Sequence, residues 1–100
     1  MPNLHEVSQW LLVRLSNCKT TEIWIFGSVT KQAVSPNDVD VFVKLMDDEL
    51  GNAHHTKGKL IKGFVDHFGI PLHLLVLSES ESVEAKDFLQ KALATGVRVK

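Results

Sequence analysis

Two apolar runs with chemically distinct ends constrain this chain more than any other feature. The first, Ile23-Trp24-Ile25-Phe26, closes in Gly27-Ser28; nine residues later Asp38-Val39-Asp40 opens the second, which continues as Val41-Phe42-Val43. Both runs have the β-branched and aromatic character of strands. Their link is too short for a usual parallel crossover, so the spacing predicts antiparallel neighbours. That arrangement sets Gly27-Ser28 beside Asp38 and Asp40. Side chains alternate along a strand, so the two aspartates share a face and lie close together.

Two like charges held together cost free energy unless a cation sits between them. The pair therefore points to a divalent metal, and Mg²⁺ or Mn²⁺ is the expected ion. Two carboxylates suffice for it when phosphates and waters fill the remaining positions. A glycine lets backbone amides approach a phosphate, and a serine hydroxyl adds a hydrogen bond. A cation site beside a phosphate cradle is nucleotide chemistry.

The pattern apolar-Gly27-Ser28, nine residues, Asp38-apolar-Asp40-apolar resembles the signature of the DNA polymerase beta-like nucleotidyltransferase superfamily, in its minimal form. The resemblance covers residues 20 to 78. It implies an α/β (α+β) nucleotidyltransferase fold, a small mixed sheet of three to four strands with flanking helices. It also implies Asp38 and Asp40 as metal-binding catalytic residues, Gly27, Ser28 and Lys31 at the nucleotide, and transfer of a nucleoside monophosphate from a triphosphate. Lys31 stands three positions after the serine, where relatives often carry a basic residue, and Gln32 replaces the small residue that usually follows. Relatives complete the metal site with a third carboxylate from a later strand. The matching strand here, 70–77, has His73 at that place and no acid within it. In a two-metal mechanism Asp38 and Asp40 serve the triphosphate ion, and the activating ion normally needs the missing acid. His73 has two readings. It is a silent histidine inside an apolar strand, or a neutral base and weak ligand in the third-acid place.

Composition narrows the alternatives. One hundred residues at 44% hydrophobic content form one modest core, so 1–100 is read as a single domain without room for a separate acceptor-binding domain. A net charge of −1 gives no global field for nucleic acid, and a nucleic-acid partner is left open. Lys57, Lys59 and Lys62 read first as a solvated helix face. The single cysteine, Cys18, forms no internal disulfide and fits a reducing, cytoplasmic setting. No apolar run reaches membrane-spanning length, so no membrane partner is expected.

Periodicity supplies the remaining elements. Apolar residues at 4, 7, 11, 12 and 15 predict a helix over 4–17 with Asn3 as N-cap. Strands are predicted at 22–26, 39–45 and 71–77, the second central. Leu60, Ile61, Phe64, Val65 and Phe68 mark a helix over 54–68 that stops at Gly69. His54 and His55 are adjacent, so they cannot form an i, i+4 metal pair and read as exposed polar residues. Ser78 and Glu81 form a capping-box pattern before a last helix with Val83, Phe88, Leu89, Ala92 and Leu93 inward. Residues 97–99 add a short edge strand.

Three functions compete on these residues: an active minimal nucleotidyltransferase acting on a protein, small molecule or RNA end; a nucleotide- and metal-binding relative of it that transfers poorly and works through a partner, as in a toxin–antitoxin system; and a pure interaction module. Ser28, Asp38 and Asp40 argue against the third, and His73 against the first. The nucleotide, the acceptor, the partner and any homo-oligomer are left open by the sequence.

Overall fold

Strand alternation divides the sheet into two unlike faces, and that division organises the molecule. The computed structural model describes residues 3–16, 18–27 and 37–100. Helix α1 (Leu4–Arg14) leads into strands β1 (Thr20–Phe26) and β2 (Val39–Leu45). After a 3₁₀ turn over Asp47–Glu49 come helix α2 (Leu50–Phe68), strand β3 (Leu72–Ser78), short helices α3 (Glu79–Glu84) and α4 (Lys86–Ala92), and strand β4 (Val97–Arg98). The four strands form one mixed sheet in the order β3-β2-β1-β4. β1 is antiparallel to β2 and β4, while β2 and β3 run parallel, joined by the α2 crossover. The chain is therefore a mixed α+β fold with flanking helices.

Val39, Val41, Val43 and Leu45 of β2 project to one face with Ile23, Ile25, Leu72 and Leu74. Val7, Leu11 and Leu15 of α1 and Leu60 and Phe64 of α2 close over them as one cluster. Trp10 packs edge-on against Phe64, with ring centroids 5.5 Å apart. The opposite face carries Asp40, Phe42 and Lys44. Phe42 is buried there, on the strand that α3 packs against.

Element ends follow local chemistry. The Asn3 side chain accepts from the Glu6 amide, as an N-cap should. Gly69 adopts φ 76° at the end of α2, a conformation that suits glycine. Ser78 and Glu81 form the reciprocal capping box.

Four details differ from the expectations. α1 stops at Arg14 because Ser16 folds back, its hydroxyl donating to the Val13 carbonyl at 2.8 Å. α2 begins at Leu50, four residues before the predicted start, and Gly51 and Gly58 do not interrupt it. The last helix is two helices joined at Ala85. Val83 and Phe88, expected inward, are 74% and 60% exposed, and Val65 of α2 is 42% exposed.

Candidate metal and nucleotide site

The pairing registers bring three functional candidates to one end of the polar face. Asp40 is the cross-strand partner of Phe26, the residue before Gly27, on one side and of His73 on the other. Asp38 precedes β2 by one residue and shares Asp40's face. The Val39 amide donates to the Pro71 carbonyl at 3.0 Å, which fixes the start of β2 against the start of β3. His73 therefore projects toward the carboxylates. Its Nδ1 lies 3.3 Å from Asp40 Oδ1 and 3.7 Å from Asp38 Oδ2.

One ligand atom from each of Asp38, Asp40 and His73 falls within 4.8 Å of the other two. Both aspartates are half-buried, and the His73 side chain is 61% exposed, so solvent and ligands reach the cluster. That exposure replaces the reading of His73 as a histidine enclosed in an apolar strand. Two carboxylate oxygens and an imidazole nitrogen form a donor set suited to a divalent cation. The imidazole favours Mn²⁺ over the harder Mg²⁺.

Gly27 follows from the same crowding. Its φ of 81° lies in the left-handed region, and a Cβ there would overlap the Asp40 carboxylate. Only glycine lets the β1 backbone pass so close to that acid. Ser28 and Lys31, expected at the nucleotide, lie outside the described residues. His55 is exposed on α2 and distant in sequence from the cluster, as are Lys59 and Lys62.

A second polar cluster escaped the sequence reading. Glu22 lies opposite Lys44 across the β1–β2 pair, and Lys44 Nζ is 3.0 Å from Glu22 Oε2. The Trp24 indole donates to Glu22 Oε1 at 2.9 Å, and Arg98 approaches the same oxygen. The Trp24 and Lys44 hydrogen bonds hold the Glu22 carboxyl below its ordinary value. This cluster floors a groove of about 590 Å³ walled by Val83, Leu89 and Leu93. The pairing of Glu22 with Lys44 was available from an antiparallel register alone. Asp47 is likewise held low, because the Ser80 amide and hydroxyl donate to its carboxylate and pin the turn after β2 to α3.

No protein-family model matches the chain, and no curated protein does. Among solved structures, a chain described as "Crystal structure of the toxin-antitoxin with AMP-PNP" is similar in fold, with a TM-score of 0.65 at 21% identity. The match covers 93% of this chain and 72% of that one. At such identity the likeness concerns the fold: the mixed sheet and its flanking helices are an arrangement that a toxin–antitoxin protein also uses.

Proposed function

We propose that this chain is a minimal nucleotidyltransferase-like protein that binds a nucleoside triphosphate together with a divalent cation. The observation that carries the reading is the convergence of Asp38, Asp40 and His73 beside Gly27. The sequence resemblance and a structural neighbour described with AMP-PNP support it. Asp38 and Asp40 would hold the cation, with His73 as a third, weaker donor. Bound there, the ion would neutralise triphosphate charge and orient the α-phosphate. Gly27 keeps the backbone close to Asp40, and the resemblance implies that Ser28 and Lys31, which follow it in sequence, would contact the phosphates.

In transfer, an acceptor hydroxyl oxygen bonds to the α-phosphorus as the bond to the bridging oxygen breaks. Pyrophosphate leaves with the electron pair. The hydroxyl proton needs a base, a role His73 would fill only where its imidazole is not bound to the cation.

A second reading is favoured by His73 itself, which stands where the resemblance implies a carboxylate. In that reading the protein binds nucleotide but transfers slowly and acts through a protein partner, and the toxin–antitoxin neighbour supports it. Incubation with α-labelled triphosphates, Mn²⁺ or Mg²⁺ and cell extract separates the two. Label moved covalently to an acceptor, and lost with Asp40→Asn, supports transfer. Cation-dependent retention without covalent label supports the binding role. No cation-dependent retention at all would sink both.

A further inference from the structure

The two edges of the sheet are built differently. β4 closes one edge with two exposed residues, one of them Arg98. Short, charged strands are a usual protection against edge-to-edge pairing. β3 forms the other edge, is seven residues long, and among the described residues pairs only with β2. Its sequence, Leu-His-Leu-Leu-Val-Leu-Ser, has no lysine, acid or proline, and its register with β2 has no bulge. Among the described residues, the strand itself carries no lysine, acid, proline or bulge of the kind that usually protects an edge.

The direction of its backbone groups follows from one hydrogen bond. The Pro71 carbonyl accepts from Val39 of β2, so His73, Leu75 and Leu77 also turn their amide and carbonyl groups inward. Leu72, Leu74 and Val76 turn theirs outward. The next outward amide, Ser78, is taken by the Glu81 side chain at 3.0 Å. Beside this edge, α2 offers Gly63 and His67 to Trp10 of α1. Residues turn by about 100° along a helix, so Ile61 and Val65 lie on the flank away from α1, where α2 overlies β3. The exposure of Val65 therefore belongs to the same rim.

We propose that β3 is a dimerisation edge, occupied by β3 of a second copy of this chain running antiparallel about a two-fold axis through Leu75. This register sets Leu75 against its copy and Leu74 against the partner's Val76, so those outward groups exchange hydrogen bonds in both directions. Every facing pair is uncharged apart from His73, which meets the partner's Leu77, so no like charges oppose one another. The strand offers the same surface to itself, as a two-fold interface requires, and the Ile61–Val65 flanks meet beside it. The axis runs through the sheet, so both Asp38–Asp40–His73 clusters open on one face of an eight-stranded sheet. A strand of seven residues is about 23 Å long, which gives a contact at the small end of stable interfaces, so the dimer dissociates on dilution.

Analytical ultracentrifugation of the full chain should give twice the 11.2 kDa monomer mass at high concentration and the monomer on dilution. Hydrogen exchange of the Leu72, Leu74 and Val76 amides should slow as concentration rises. Val76→Pro removes an outward amide without touching the β2 ladder and should weaken dimerisation by about tenfold or more, with the circular dichroism spectrum retained. Val65→Glu, on an exposed helix position, should weaken it independently and keeps the test valid if the proline variant does not fold. A monomer at every concentration would overturn the proposal. So would a dimer indifferent to Val65→Glu with fast exchange at those amides, or protection of them only by a different protein's strand.

Discussion

Alternate residues of β2 do opposite work. Val39, Val41, Val43 and Leu45 are buried under α1 and α2, while Asp38, Asp40 and Lys44 face away from that core among polar partners. The first set contributes stability by removing apolar surface from water. The second keeps two carboxylates together beside a histidine, a donor set whose mutual repulsion a bound cation would relieve. One strand thus separates stability from chemistry by a single residue step, and substitutions on its two faces should have unlike consequences.

The largest effect should come from moving the acid by that step. Val41→Asp places a carboxylate in the packed face without a partner. It should destabilise the fold by about 4 kcal/mol or more, read as loss of the cooperative unfolding transition in urea. Retention of native stability would mean that this face is not the core.

His73→Asp sharpens the comparison from the polar side. It replaces the borderline nitrogen by a third hard oxygen, so cation preference should move from Mn²⁺ toward Mg²⁺, with tighter binding of both. The metal-free protein should lose about 1 kcal/mol through added repulsion. Titration calorimetry and thermal melts with and without each ion measure both effects. An unchanged preference would remove His73 from the ligand set.

Much of this division was legible in the sequence because strand parity needs little context. The shared face of Asp38 and Asp40, the antiparallel β1–β2 link, the central position of β2 and the Ser78–Glu81 capping box follow from local spacing, and the structure shows each. The place of His73 in the third strand was legible, but not its exposure, which depends on what covers the strand. The break at Ala85 was not legible. Nothing in Ser-Val-Glu-Ala-Lys forbids a continuous helix, and Val83 before the break and Phe88 after it were assigned to the wrong face. Glu22–Lys44 was missed because each residue is unremarkable until the register is known. Ser28 and Lys31, legible as motif positions, have no described geometry to set beside that motif.

The pH dependence of stability should be smaller and should come from the other end of the polar face. Glu22 is held below its ordinary value of 4.5, first by the Trp24 indole and then by Lys44. A carboxyl whose folded value is depressed stabilises the fold above its unfolded value, and that contribution disappears as pH falls through the folded value. Stability should therefore fall with acidification below about pH 4.5, and Glu22→Gln should flatten the acid limb of the profile. An unchanged limb would show that this cluster does not stabilise the fold through its charge.

The central claim, that the acids on the polar face of β2 hold a nucleotide through a cation, is tested most directly by one calorimetric comparison. A non-hydrolysable nucleoside triphosphate is titrated into the wild-type chain and into Asp40→Asn, each with Mn²⁺ and with chelator. The account predicts binding to the wild type with Mn²⁺ only, and its loss in Asp40→Asn, whose melting temperature is equal to or above that of the wild type without metal. Binding that survives either the chelator or the Asp40→Asn substitution would contradict it.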